Sequence, residues 1–467
     1  MNKRGLGLIR IINFRSTFIA RIIERITFSF STRMSELLQR VISFTKDASM
    51  KHSAMSNAIW MMSEKVVSVF GVIFVTSYVA KSFGPSIFGQ IAFSASLFSI
   101  VQTIAIFGTE TILFKSISKS AAKGIRLMAV AKQLRMALLL LLSVPVLIYV
   151  WLEMRENFLV FAIASFLSAM FVTQDIFSVY NNARLQSRMN TVANATGMVI
   201  SFAISFLVAW FKLSPLLLSF SIVAVTLVPY VIKRSRFYQA NSISPPPKRK
   251  HRNYLRYLLH AGLPLAISSV FISIQVKLAQ FFLVGVGSAH ELGLFTAANT
   301  ISASWIFIPV AIITSCFSEI FRERADVAVK LAARLNGYVM AVSFLMLLIV
   351  ALFGEKIITT LYGHDYTQSG NLVTLLSLAT CFSAMGTVAY RYMVKEGGFN
   401  YLLVKIVLLV VISVVTNWFF IRFWGLTGAA WSVLVTELLS LTVMNYLFKN
   451  GVILKIQLSS LNYKTYK

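Results

Sequence analysis

The chain has 467 residues, 57% of them hydrophobic and only 13% charged, with 44 Lys and Arg against 16 Asp and Glu, a formal net charge of +28. Soluble domains run at about 45–50% apolar and about 25% charged, so a mean hydropathy of +0.75 leaves lipid as the solvent for most of this surface. An ordinary soluble enzyme, a disordered tail and a soluble nucleic-acid binder are excluded, because the basic residues stand between long apolar runs and not on a polar face.

Residues 1–55 form a basic N-terminal extension. Within it, residues 1–49 hold nine Lys/Arg and three acids and lack the clean apolar core of a cleavable signal peptide. Two readings stand. One is a basic amphipathic helix on a membrane surface, with Phe14, Phe18, Ile22 and Ile26 facing lipid. The other is an unused upstream start, with Met50 and Met55 as true starts.

A membrane-crossing helix needs about 20 predominantly apolar residues. Twelve such runs follow, at roughly 58–80, 87–110, 128–151, 157–180, 192–211 and 215–232, then 262–284, 294–317, 335–354, 369–392, 401–420 and 426–447. The runs are too long for barrel strands, which alternate over about ten residues. Pro145, Pro229 and Pro309 fall inside spans and are expected to kink them. With the N-terminus in the cytoplasm, twenty-six Lys/Arg fall in cytoplasmic segments (115–135, 181–191, 233–256, 322–334, 391–395 and 449–467) and five on the opposite side. The positive-inside rule then favours an even number of spans with both termini cytoplasmic.

The longest hydrophilic stretch between spans, 233–256, contains Ser244-Pro245-Pro246-Pro247-Lys248-Arg249-Lys250. Consecutive prolines favour an extended linker over a helix. It separates an N-terminal six-helix bundle (56–232) from a C-terminal one (257–448), followed by a tail (449–467). After the first span comes Phe83-Gly84-Pro85-Ser86-Ile87-Phe88-Gly89, and after the seventh comes Val286-Gly287-Ser288-Ala289-His290-Glu291-Leu292-Gly293, one residue longer. Matching Gly-bounded turns at the same place in each half point to a duplication. Two repeats of six spans share one orientation, so their axis runs along the membrane normal. The fold class expected is an all-α polytopic membrane protein, with about 12 transmembrane helices in two six-helix bundles related by a pseudo-twofold axis.

Three stretches carry a family resemblance: Asn57 to Lys65, the turn Phe83 to Gly89, and Gly425-Leu426-Thr427-Gly428-Ala429-Ala430-Trp431 entering the last span. In their order and spacing the chain resembles, over roughly residues 50–448, the polysaccharide transporters of the multidrug/oligosaccharidyl-lipid/polysaccharide exporter superfamily, and most closely the Wzx-type O-antigen flippases. The resemblance implies alternating-access flipping of an undecaprenyl-diphosphate-linked oligosaccharide, from the inner to the outer leaflet of the bacterial cytoplasmic membrane. It implies H+ or Na+ coupling without a bound cofactor, and polysaccharide polymerase machinery as a partner beside the lipid-linked glycan and membrane lipid. Many relatives carry a basic–x–acidic–Gln pattern in the seventh span. Here the stretch is Lys277-Leu278-Ala279-Gln280, so the coupling role of that carboxylate does not carry over.

A charge at mid-bilayer costs about 2.5–3.5 kcal/mol on insertion scales, which makes intramembrane charges functional candidates. Lys277 is the foremost, because Ser269, Ser273, Lys277 and Gln280 share one helix face and a lysine in a wet cavity supplies a point cation to a diphosphate. The alternative is a lysine paired to a neighbouring acid for packing. Lys65, Lys405 and Arg391 complete a candidate cationic cavity; the alternatives are pairing with neighbouring groups near the cytoplasmic end for Lys65, snorkelling to the interface for Lys405 and topology anchoring for Arg391. Asp175, Glu437 and Glu64 are candidates for ion coupling or for counter-charge to Lys277 or Lys405, since a buried carboxylate takes up protons more readily.

No P-loop, His-Glu-x2-His helix or paired-cysteine framework is present; Cys316 and Cys381 read as packing residues. The expectation is a transporter and not an enzyme, with no nucleic-acid partner. A drug/cation antiporter and a lipid II flippase are the alternatives within the superfamily. A membrane glycosyltransferase or O-antigen polymerase is the alternative from another class, and it suffers from the lack of a large outer loop.

Overall fold

The computed structural model describes residues 60, 64, 65, 67–154, 156–241 and 248–462. The extension 1–55 and the triple-proline segment therefore lie outside the described residues. Among the described residues there are helices and turns and no strand.

The first half runs α1 (Val67–Ile106), α2 (Thr109–Lys119), α3 (Ala121–Glu153), α4 (Glu156–Gln174), α5 (Ile176–Ala183), α6 (Ser187–Trp210) and α7 (Leu218–Ala240). The second runs α8 (Lys248–Val286), α9 (Ala289–Ala303), α10 (Phe307–Ile320), α11 (Ala325–Tyr362), α12 (Thr367–Lys395), α13 (Phe399–Leu441) and α14 (Val452–Ser460). Nine described helices are long and apolar enough to cross a membrane, and α9 with α10 makes a tenth span bent by 42°. The bend has a local cause. Pro309 brings no N–H and its ring crowds the preceding turn, so Ile308 bonds back to Trp305 three residues earlier, in a tightened turn.

Two of the nine are too long for one crossing. Val67–Ile106 has 40 residues and Phe399–Tyr446 has 48, about 60 and 70 Å at 1.5 Å per residue, against about 30 Å of hydrocarbon. Each breaks at a glycine with non-helical dihedrals: Gly84 at φ 78°, ψ 170° and Gly425 at φ 52°, ψ −128°. Both φ values lie where a Cβ is disfavoured, and Pro85 then starts the next helix with its φ already set. At Gly425 the chain doubles back. The hydroxyl of Thr416 lies 3.0 Å from that of Ser432, sixteen residues on, and Lys405 Nζ lies 2.7 Å from Asn445 Oδ1. A continuous helix would hold residues sixteen apart about 24 Å away. Divided at the two glycines, the spans correspond one for one to the twelve apolar runs.

The helices overrun several edges expected from hydropathy. Helix α7 continues to Ala240 and α8 begins at Lys248, so the connection between the halves narrows from 233–256 to 241–247. The tail is not loose either. In α14, Ile453 and Ile456 are buried in the second half's core, and Asn336 Nδ2 donates to Ser460 Oγ at 3.1 Å.

The core is arranged unevenly along the helices. At the end bearing the turns 83–89, 287–293 and 362–366, a single cluster draws on both halves, including Phe88, Phe93, Leu292, Phe295, Tyr362 and Tyr366. At the other end each half has its own cluster. Ile112, Leu127 and Phe177 belong to the first half's cluster, and Phe317, Ala332 and Tyr392 to the second's. Helix α8 is the exception, since its Leu258 is buried in the first half's cluster.

Candidate functional site

Helix α8 carries the strongest sequence candidates, and it lies along α1 over much of its length. Gln280 is buried and accepts a hydrogen bond from Ser96 Oγ across the boundary between the halves. Two turns back, Thr103 Oγ1 donates to Ser273 Oγ at 3.5 Å. Farther along, Gly262 packs against Phe107. The Ser273–Lys277–Gln280 face read from the sequence is therefore the face turned toward the seam. Lys277 stands on it half-buried, nine residues or about 14 Å from the helix end at Val286, which is mid-bilayer depth. Among the described residues, no hydrogen bond or ion pair reaches its ammonium. A packing lysine would have found an acid; this one has none.

The other candidates do not gather around Lys277 but fall into separate groups. In the second half, Lys405 donates to Asn445 and its charge lies within electrostatic reach of Glu437, whose carboxylate is also hydrogen-bonded by Ser383. Lys405 and Glu437 thus lie near each other, each with its own hydrogen-bond partner, Asn445 and Ser383, and no ion pair joins the two among the described residues. Lys405 is therefore held inward and not extended to the interface. Arg391 reaches from α12 to α10, donating from Nη2 to Thr314 Oγ1 at 3.1 Å. In the first half, Glu64 accepts from Asn194 Nδ2 at 2.9 Å, tying the first span to α6. Lys65 beside it is exposed.

Asp175 is placed differently from either partner foreseen for it. It is neither free nor set against Lys277 or Lys405. Its carboxylate accepts from Ser178 N at 3.2 Å as the N-cap of α5, accepts from Ser178 Oγ at 2.6 Å, and pairs with Lys233 Nζ at 2.5 Å. Lys233 also donates to Ser178 Oγ at 2.8 Å and is 4% exposed. Sequence reasoning counted Lys233 in a loop, but the extra two turns of α7 put it inside the fold.

Arg135 is a second correction. Counted with a basic loop, it is fully buried in α3. Its Nε donates to Thr109 Oγ1 at 2.7 Å and its Nη1 to the Thr173 carbonyl at 3.0 Å. Those are the first residue of α2 and the end of α4, both at helix breaks where backbone groups lack intrahelical partners. Its flanking residues carried a signal, because Leu134 and Met136 make it a lone cation at the edge of an apolar run. Removing Arg135 and Lys233 from the basic loops leaves the charge asymmetry between the two sides in place.

Among the described residues, no group of three His, Cys, Asp or Glu could hold a metal ion. What the site offers is a cation at mid-membrane on a polar seam between two halves, and, separately, a lysine and a carboxylate, Lys405 and Glu437, within electrostatic reach of each other.

Residues 79–371 match a family model described as polysaccharide biosynthesis protein. No curated protein matches the sequence. Among solved structures, the chain is similar to a lipid II flippase, MurJ, in an inward closed conformation, with a TM-score of 0.63 and 13% identity over 87% of this chain and 91% of that one. It is also similar to an outward-facing multidrug resistance transporter of the MATE family, at TM-score 0.57 and 14% identity over 88% and 96% of the two chains. A MATE transporter of Vibrio cholerae in its bent form matches at 0.52 and 13% identity over 87% and 99%. At these identities the likeness is one of fold.

Proposed function

The chain belongs to the polysaccharide biosynthesis protein family within the multidrug/oligosaccharidyl-lipid/polysaccharide exporter superfamily, and we propose that it flips an undecaprenyl-diphosphate-linked oligosaccharide, an O-antigen or related surface-polysaccharide unit, across the bacterial cytoplasmic membrane. The observation that carries this reading is Lys277, a cation at mid-membrane, on the seam between the halves, with no acid among the described residues to neutralise it. A diphosphate must cross a region of low dielectric, where an unpaired ammonium attracts it far more strongly than in water. A carrier of cationic drugs needs the opposite sign at this point. The solved relative titled a lipid II flippase supports a lipid-linked glycan as cargo.

The mechanism is alternating access. Both termini lie in the cytoplasm, and the separately packed ends of the two halves face inward while the shared core closes the outer end. The headgroup enters between the halves, meets Lys277 and leaves when the shared core parts. Glu437, hydrogen-bonded by Ser383 and within electrostatic reach of Lys405, is the carboxylate that takes up and releases the coupling ion, and the polymerase machinery receives the flipped unit. The test is Lys277→Ala in a flippase-null strain. Surface polysaccharide is lost while the chain stays in the membrane at its normal abundance, and full complementation overturns the proposal.

A further inference from the structure

Helix α6 packs against α1, α5 and α7, all of the first half. Its outward face carries Val192, Val199, Ile200, Phe206 and Trp210, all exposed, so that face meets lipid and not the polar seam at Lys277. The first span runs alongside it. Glu64 accepts from Asn194 Nδ2 at 2.9 Å, and Gly71, with no side chain, takes the ring of Phe202 directly against its backbone. Beside these contacts the two elements leave a groove of about 380 Å³, walled by Trp60 of the first span and by Thr191, Val192, Ala195, Val199 and Ile200 of α6.

The depth of the groove follows from the helix. Trp210 and Phe211, both exposed, end α6 as an aromatic pair of the kind that marks a membrane–water interface. Counted back from Trp210 at 1.5 Å per residue, Ile200 stands about 15 Å in, Thr191 about 28 Å and Arg188 about 33 Å. The hydrocarbon is about 30 Å thick, with a headgroup layer of about 5–7 Å on each side. Ile200 is therefore at the middle of the bilayer, Thr191 just inside the far edge of the hydrocarbon, and Arg188 just outside it, among the headgroups.

Two polar groups meet at that edge. Arg188 is exposed, has no ion pair among the described residues, and lays its guanidinium over the Trp60 ring, 5.2 Å from the centroid. Thr191 is 4% exposed, and its hydroxyl has no hydrogen-bond partner among the described residues. A helical threonine commonly gives its hydroxyl to the carbonyl four residues back, as Thr196 does to Val192 at 2.8 Å. Thr191 does not, and an open donor at this depth has little water to turn to.

We propose that the groove holds one anionic glycerophospholipid from the leaflet on the Arg188 side. Such a lipid presents its groups in this order and at these levels: phosphate among the headgroups, acyl esters at the hydrocarbon edge, chains below. Arg188 binds the phosphate, Thr191 donates to an acyl ester carbonyl, and one chain lies between Trp60 and the row from Val192 to Ile200. A polyisoprenyl diphosphate has no ester to offer Thr191, and an acidic peptide would leave the apolar wall unused. The lipid fills the cleft between the first span and α6, and the site shares no residue with the seam at Lys277.

The test is native mass spectrometry of the purified full chain with three separate probes: phosphatidylglycerol, its ether-linked analogue with the same headgroup, and undecaprenyl diphosphate. Arg188→Ala weakens phosphatidylglycerol binding about fivefold. Val199→Trp fills the groove, leaves both polar groups in place, and weakens it to a similar extent. Both positions lie on the exposed face, and unchanged elution on size exclusion checks that both variants fold. Thr191→Val removes the hydroxyl and weakens the ester lipid about threefold while leaving the ether lipid unchanged. Wild-type phosphatidylglycerol binding by Arg188→Ala or by Val199→Trp overturns the site. Equal losses of ester and ether lipid in Thr191→Val overturn the ester contact. Undecaprenyl diphosphate held as tightly as phosphatidylglycerol, and lost on the same substitutions, overturns the choice of lipid. None of these outcomes touches Lys277, so the flippase reading stands or falls by its own assay.

Discussion

Gly293 lies so close to the backbone of Pro85 that a Cβ on it would stand 1.9 Å from the Pro85 carbonyl oxygen, and Gly89 makes the mirror contact, its Cβ position falling 1.7 Å from the carbonyl oxygen of Ala289. These are corresponding positions of the two repeats. Each half thus supplies a glycine to the other's turn, which is how a self-complementary contact about a twofold axis is built. The contact sits in the core cluster that both halves share, so the turns are the joint on which the two halves meet.

Gly293→Ala therefore forces backbone apart. Overpacking of a tight interior site costs about 1–3 kcal/mol, and the detergent-solubilised variant should melt several degrees below wild type. Gly285→Ala is the control, because a Cβ there meets nothing within 4 Å. Equal melting temperatures for the two variants would contradict the reciprocal contact.

The Asp175–Lys233 pair yields a second expectation. Breaking a buried pair leaves one charge uncompensated, at a cost of about 3–5 kcal/mol, whereas replacing both partners by neutral groups is often close to harmless. Lys233→Met alone should lower folded yield in the membrane sharply. Lys233→Met with Asp175→Asn should recover most of it, because Asn still caps α5. A double variant as poor as the single one would show that the ion pair itself is required. In a size-exclusion assay the two outcomes separate cleanly.

The polar seam between α1 and α8 can be locked. The hydroxyls of Thr103 and Ser273 lie 3.5 Å apart, close enough for cysteines at both positions to bond after small adjustment. With Cys316 and Cys381 replaced by Ala, oxidation of Thr103→Cys/Ser273→Cys should give a cross-link between the halves and arrest transport, and reduction should restore it. A cross-linked chain that transports at the normal rate would mean the seam does not move in the cycle.

Lys277 can be probed by charge without shape. Lys277→Arg should retain part of the transport rate and Lys277→Gln almost none, with both chains equally abundant. In proteoliposomes, comparable rates for Arg and Gln would remove the charge argument.

Much of this molecule was legible in its sequence for a simple reason. Apolar run length answers to a fixed bilayer thickness, so the twelve runs located the spans, and the Gly-bounded turn 83–89 marked the break at Gly84, while the break at Gly425 shows its cause only in the fold, in a positive φ. Helix periodicity placed Ser273, Lys277 and Gln280 on one face before their neighbour was known. The fates of individual charges were another matter. Arg135 and Lys233 count as loop cations by sequence because polarity alone does not tell a solvated charge from one held by groups 26 to 58 positions away along the chain. For Asp175 the sequence offers ion coupling or a counter-charge to Lys277 or Lys405, whereas in the fold it caps a helix and pairs with Lys233, a partner 58 positions distant that only the packing of α4, α5 and α7 brings near. Sequence alone determined that the chain crosses a membrane many times in two similar halves, because hydropathy and chirality act locally. Only the tertiary structure decided which partners the intramembrane charges find and that, among the described residues, Lys277 meets no acid, because charge pairing depends on contacts between helices that are far apart along the chain.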